Sequence, residues 1–436
     1  MAVGTAVASI SIGTNTIQKM RLRILPFVFL LFVIAQLDRN NIGFAALTMN
    51  KELAISSQQY GLLFGIFFFG YFLFEIPSNL LLHKIGARVW IARILISWGI
   101  VAMLTGFVRS VHQLYVVRFV LGLAEAGYFP GIVLYLTYWF PRREQARAFA
   151  LVVMANPVAT ILGAPVSALI LDHVHWLGVS SWRWLLILEG IPAIVFGFVT
   201  YFLLPSRPQE ATFLTAEEKE WIRAELGREE QQKLEQRKYS VLQALVSGRV
   251  WHLVLIYFGM TTGNWALQSW TPQLVKSLSS RYSNSVIGFL VMIPYLVGLA
   301  ALIIVSRSSD RTLERRYHVA IPAIVAAGAL VLLGATRSPL YTLTLLSFLA
   351  AGVYSYFGPF WALPSEFLTG FSAAAGIALI NSVGCLGGFA GPYMIGAIAM
   401  RTGNLYAGLA IAGIPLFISA TLVLLLPRKA RALAKS

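Results

Sequence analysis

The sequence predicts an all-α polytopic membrane protein, with twelve transmembrane helices in two pseudo-symmetric six-helix bundles. The chain of 436 residues is 58% hydrophobic and only 12% charged, with a mean hydropathy of +0.72, far too apolar for a water-soluble protein of this length. Its apolar stretches fall into twelve spans of about 20 residues, the length a helix needs to cross a bilayer. The second six spans weakly repeat the first six, with an offset of about 225 residues.

The spans centre near residues 36, 69, 98, 125, 158, 193, 262, 295, 327, 349, 385 and 414. The first starts at about Ile24, just after Lys19, Arg21 and Arg23, and no signal peptide with a cleavage site precedes or follows it, so it is expected to stay as a helix. Pro130, Pro157, Pro165, Pro192, Pro294, Pro359 and Pro392 fall within or near spans, where neighbouring helices satisfy the freed carbonyls. The expected division is a cytoplasmic N-terminal segment at 1–23, an N-terminal six-helix bundle at 24–204, a cytoplasmic linker with a short amphipathic helix at 205–249, a C-terminal bundle at 250–427 and a cytoplasmic tail at 428–436.

Charge places the loops. Segments on the N-terminal side of the membrane carry 25 basic residues and the opposite side 7, so both termini and the long middle loop are expected in the cytoplasm. That loop holds eight of the 18 acids, and Thr215-Ala216-Glu217-Glu218 has the spacing of a capping box that starts a polar helix. The formal net charge of +16 is spread between spans, not gathered in a stripe, which excludes a nucleic-acid surface. The single cysteine, Cys385, excludes an internal disulfide and any multi-cysteine metal site.

The repeat is visible in matched segments. Leu82-His83-Lys84 faces Ser309-Asp310-Arg311, and Trp139-Phe140-Pro141-Arg142-Arg143-Glu144 faces Trp361-Ala362-Leu363-Pro364-Ser365-Glu366. Asn156-Pro157 with Gly163-Ala164-Pro165 faces Asn381-Ser382 with Gly391-Pro392. Two repeated six-helix halves around a charged loop imply a binding site at their interface near the midplane.

Gln36-Leu37-Asp38-Arg39-Asn40-Asn41 puts an acid and a base inside the first span. An ionised side chain near a bilayer centre costs about 3 kcal/mol, so each is a candidate functional group with a partner to be found. Arg118 and Glu125 in the fourth span are the best partners, and seven residues apart they share one helix face and are expected on one cavity wall. Asp38 and Arg39, about 100° apart, can both border a cavity. Glu75 is expected to pair with Arg88 or a neighbouring basic loop, and Glu189 to reach interfacial water. The second half offers polar and aromatic groups instead of charge: Asn264 and Gln268 one turn apart, with Tyr354, Tyr356, Trp361 and Asn381. Gly122, Gly127 and Gly131, and Gly384, Gly387, Gly388 and Gly391, allow close helix approach.

Several segments resemble the major facilitator superfamily, and within it the anion:cation symporter branch of tartrate, phthalate and sugar-acid permeases. They are Leu37-Asp38-Arg39-Asn40-Asn41-Ile42-Gly43, Gly70-Tyr71-Phe72-Leu73-Phe74-Glu75-Ile76-Pro77-Ser78-Asn79, Lys84-Ile85-Gly86-Ala87-Arg88 and Arg118-Phe119-Val120-Leu121-Gly122-Leu123-Ala124-Glu125-Ala126-Gly127. The resemblance implies the major facilitator fold, with Tyr71, Asn156, Trp361 and Asn381 facing the substrate and a gating loop motif at Lys84, Gly86 and Arg88, repeated at Asp310 and Arg311. His83 stands where the superfamily usually has Asp, and the helix 7 arginine of some glutamate-transporting relatives is not apparent.

On this reading Arg39 and Arg118 supply fixed positive charge for a carboxylate, while Asp38 and Glu125 carry protons. The expectation is a proton-coupled symporter importing a small organic anion: a hydroxy-dicarboxylate such as tartrate, an aromatic carboxylate such as phthalate, or a sugar acid. Asn264 and Gln268 would join the substrate contacts. It would sit in a bacterial inner membrane, act as a monomer, and need no cofactor, metal or nucleic acid. A uniporter, exchanger or exporter of the same fold stays open. An intramembrane enzyme is disfavoured, for no histidine pair in a span, activated nucleophile or phosphate-cradling loop is present, and His173-Val174-His175 lies in an outer loop.

Overall fold

A computed structural model describes residues 2–235, 245–335, 338–364 and 370–426, and its long elements are all helices. The first six spans are α1 (Ala2–Glu52), α2 (Ser57–Ile85), α3 (Ala87–Thr105), the broken pair α4 (Val111–Glu125) and α5 (Tyr128–Trp139), α6 (Arg142–His173) and α7 (Ser181–Leu203). The linker forms α8 (Ala216–Glu235). The other six are α9 (Gly248–Leu278), α10 (Asn284–Thr312), α11 (Arg316–Leu332), α12 (Pro339–Ser355) continuing as α13 (Phe357–Ala362), α14 (Gly370–Cys385) continuing as α15 (Gly387–Thr402), and α16 (Leu405–Leu424).

Among the described residues, ten of these spans are long and apolar enough to cross a membrane. The others are α11, short at 17 residues, and α9, which is 31 residues long but carries Thr261, Thr262, Asn264, Gln268, Ser269 and Thr271. Every residue of α9 from Met260 to Pro272 is buried, so its polar groups face protein instead of lipid. Lipid-side positions elsewhere carry large apolar groups, such as Phe202 and Ile304.

Local chemistry sets several ends. Ser56 and Gln59 form a capping box at the start of α2 (Gln59 N to Ser56 Oγ 3.2 Å, Ser56 N to Gln59 Oε1 2.9 Å). Thr215 and Glu218 form the predicted one at α8 (Glu218 N to Thr215 Oγ1 3.3 Å, Thr215 N to Glu218 Oε2 2.9 Å). Gly86, at φ +100°, lets α2 turn into α3 without a loop. One boundary differs from expectation: the first helix starts not near Ile24 but at Ala2. Its extension is held at the linker end by Lys19 on Glu218 (2.8 Å) and by Arg21 on Glu144. Part of the linker (236–244), Ser365 and Glu366 of the repeat, and the tail from 427 lie outside the described residues.

The helix contacts repeat between halves. In the first, α1 packs on α6 and α7, α2 on α4, and α3 on α7; in the second, α9 packs on α14, α15 and α16, α10 on α12, and α11 on α16. The halves meet through α1 on α9, α2 on α15 and α6 on α10, and the last two contacts exchange under the same pseudo-symmetry. Close backbone approaches between the halves lie at the end away from α8. A Cβ at Gly61 would sit 2.4 Å from the Pro392 carbonyl oxygen, one at Gly396 2.2 Å from that of Ser57, and one at Gly288 2.5 Å from that of Ala164.

Candidate functional site

Between the halves lies a cavity lined by side chains of both. Its first-half wall is Phe32, Gln36 and Arg39 of α1, Phe68 and Tyr71 of α2, Phe129 of α5, and Val153 and Asn156 of α6. Its second-half wall is Tyr257, Thr261, Asn264 and Trp265 of α9, Phe357 and Trp361 of α13, and Asn381 and Cys385 of α14. Aromatic rings thus surround a few polar groups and one cation.

That cation is Arg39. Its guanidinium forms an ion pair with Glu125, and the rings of Phe67, Tyr71 and Trp265 stand 5.3, 5.4 and 5.8 Å from its carbon. Glu125 is the last residue of α4; Ala126 and Gly127 (φ +80°) break the fourth span directly after it. The break lets Gly127 pass Ser78, whose Oγ would lie 2.4 Å from a Cβ there.

Asp38, about 100° around α1 from Arg39, turns to a different set of partners. Its carboxylate accepts from Trp98 Nε1 (2.7 Å) and from Asn41 Nδ2 (3.2 Å). Arg118 is buried with its guanidinium carbon 5.2 Å from the Phe67 ring centre, and its Nε has no hydrogen-bond partner. Nor do Arg39 Nε, Glu125 Oε2, Gln36 Oε1, Asn264 Oδ1, or the Gln268 Oε1 and Nε2. Buried polar atoms are nearly always paired, and these stand at and behind the cavity wall, where water or a polar ligand can meet them.

Of the residues singled out from sequence, Arg39, Tyr71, Asn156, Asn264, Trp361 and Asn381 line the cavity. Asp38, Arg118, Glu125 and Gln268 are buried but do not line it. Arg118 and Glu125 therefore do not form the expected shared wall, and Asp38 does not border the space. Two acids differ from expectation. Glu75 is not paired with Arg88, which is exposed; its carboxylate is buried and accepts from Asn381 Nδ2 (2.7 Å) and Ser382 Oγ (2.8 Å) in the other half. Glu189 does not reach the interface either: it is buried and accepts from Ser167 Oγ at 2.6 Å.

Lys84 and Arg88 are exposed around Gly86, and His83 faces the Tyr138 hydroxyl at 3.4 Å. In the second copy, Arg311 is exposed and Asp310 pairs with Arg315 at 2.6 Å. No group of three or more metal-ligating side chains occurs among the described residues.

Sequence reasoning passed over Trp98, Trp265, Tyr257, Thr261 and Cys385. The available signal was position: Trp265 adjoins Asn264, and Cys385 lies one helical turn after Asn381. Trp98 gave none, because an indole in a membrane helix reads as packing.

The family model described as Major Facilitator Superfamily matches residues 28–392. A protein named "Putative tartrate transporter" from Agrobacterium vitis is 43% identical over 417 residues, which are 96% of each chain. A "Quinolone resistance transporter" from Acinetobacter baumannii is 39% identical over 395 residues, 91% of each chain. Among solved structures, a bacterial homologue of the human lysosomal transporter Spinster, inward-facing and occupied, shares the fold with a TM-score of 0.74 at 16% identity, covering 93% of this chain and 96% of that one.

Proposed function

The chain belongs to the major facilitator superfamily and is thus a multi-pass membrane transporter of a small molecule, not an enzyme; within that frame we propose a proton-coupled symporter that imports a small organic anion by alternating access. The observation that carries this is the Arg39–Glu125 ion pair at a cavity between the halves, with the second Glu125 oxygen unpaired. A substrate carboxylate docking on the planar Arg39 fork displaces Glu125. Glu125, left buried without its counter-ion, then takes up a proton. Binding of anion and proton become linked.

Asp38 is the second proton carrier, set apart from Arg39 by its bonds to Trp98 and Asn41. Arg118 holds positive potential behind the wall. Tyr71, Asn156, Asn264, Trp361 and Asn381 contact the substrate body, with Gln268 supporting α9; Lys84, Gly86, Arg88, Asp310 and Arg311 belong to the gating loops. The protein works as a monomer in the inner membrane; an orientation with both termini and α8 in the cytoplasm is supported by the excess of basic residues on that side. Proton coupling has an energetic reason: against an inside-negative potential, importing a monoanion costs about 2.3 kcal/mol per 100 mV and a dianion twice that.

The substrate class follows the relative named for tartrate and the cavity chemistry. A hydroxy-dicarboxylate, an aromatic carboxylate or a sugar acid each matches one cation, several amides and an aromatic wall. The test is uptake of labelled tartrate, phthalate and galactonate into proteoliposomes with pH gradient and voltage imposed separately. Uptake of one of them driven by an inward proton gradient and lost in Arg39→Ala supports the reading; uptake indifferent to the gradient contradicts it. An exporter of aromatic acids is the second reading, favoured by the relative named for quinolone resistance. It predicts proton-driven efflux from the same vesicles.

A further inference from the structure

Glu75 has no place in the mechanism above. It lies in α2, one turn after the cavity-lining Tyr71, and is 3% exposed. No basic group stands within ion-pair distance of it among the described residues. Both carboxylate oxygens instead accept from the opposite half: Oε1 from Asn381 Nδ2 at 2.7 Å and Oε2 from Ser382 Oγ at 2.8 Å. The ionisable groups facing it are Arg39 of α1, Tyr71 on its own helix, Tyr257 of α9 and Cys385 of α14.

The position of this bridge matters as much as its chemistry. From the end away from α8, α2 and the eleventh span run in close contact, with Gly61 on Pro392, Gly65 on Phe389 and Phe68 on Gly388. Toward the linker end, the described hydrogen bonds that join them at Glu75 are made by side chains alone. A motion that parts the halves at this end therefore carries both donors, which belong to the second half, away from Glu75, which belongs to the first. A carboxylate with two donors is favoured as the anion; the same group buried without them is favoured as the acid.

We propose that Glu75 is a third proton-binding carboxylate, emptied when Asn381 and Ser382 close on it across the halves and filled when the halves part there. The proton is exchanged with the aqueous phase at the linker end alone, taken up as the halves part there and given back as they close, so only an O–H bond forms and breaks and no proton crosses the membrane at this site. Cycle and proton are coupled at the contact itself, without substrate touching Glu75. The proposal rests on the symport reading only for its effect on uptake; the site itself is open to a test without substrate.

That test is infrared pH-difference spectroscopy of the full chain in lipid. One titrating component of the protonated-carboxyl carbonyl band is expected to vanish in Glu75→Gln. Ser382→Ala, which removes the donor to Oε2, is expected to move the midpoint of that component up by about one pH unit. A Glu75 that never binds a proton contributes no such component, so an unchanged band in Glu75→Gln, or an unmoved midpoint in Ser382→Ala, overturns the proposal. If Glu75→Gln does not accumulate in the membrane, the Ser382→Ala midpoint decides alone. Wild-type protein that takes up none of the three labelled anions while this component still titrates contradicts the symport reading and leaves the proton site standing.

Discussion

Arg39 is held by both of its properties, charge and flatness. The charge meets Glu125, and the flat face meets the rings of Phe67, Tyr71 and Trp265. Lysine keeps only the charge. Arg39→Lys is therefore expected to raise the half-saturating concentration of the transported anion about 10-fold or more, the loss of one charge-assisted hydrogen bond. Concentration-dependent exchange in proteoliposomes measures it, and an unchanged half-saturation contradicts the fork as the anion contact. The pair Asp38-Arg39 was legible because a charge in an apolar span has no cheap explanation. Its partners were legible only in part. Glu125 stood out as a charge, whereas Trp98, which binds Asp38, is one aromatic among many. Glu75 was misread because sequence gives the helical face of a residue but not the half that covers it, and Asn381 is 306 positions away.

At the scale of elements, one contact between helices of different halves is denser in polar bonds than the rest. Asp172, near the end of α6, receives four hydrogen bonds from the start of α10: Asn284 N (3.2 Å) and Nδ2 (2.8 Å), and Ser285 N and Oγ (both 2.6 Å). An acid at a helix N-terminus is favoured by the free N–H groups and the dipole there. Since the bond joins the halves at the end away from α8, it must break for that end to open. Asp172→Ala is expected to shift the closed-to-open ratio at this end about 10-fold toward open. Spin-label distances between cysteines placed at His175 and Arg281, in a Cys385→Ser background, would lengthen or broaden; an unaltered distribution contradicts the latch. The Thr215–Glu218 box was readable because its partners are three residues apart. This cap was not, because acid and helix are separated by 112 residues and nothing local marks them as a pair.

At the scale of the molecule, the two halves share their packing and differ in their chemistry. The repeated segments and the charge asymmetry of the loops made the twelve-helix plan legible, and the main helix contacts of the first half recur in the second. The polar cargo is not copied. Asp38, Arg39, Arg118 and Glu125 all stand in the first half, while the second contributes amides, hydroxyls and rings. The spacing of residues revealed both inventories but not the cavity between them, since that depends on how the halves meet. The central claim is that Glu125 couples a proton to the anion held by Arg39, and Glu125→Gln tests it most directly. In proteoliposomes, uptake driven by an inward proton gradient is compared with exchange of the same labelled anion at equal pH. The account predicts that Glu125→Gln loses gradient-driven uptake and keeps exchange, because the anion still binds and the halves still move. Gradient-driven uptake at the wild-type level in Glu125→Gln would contradict it.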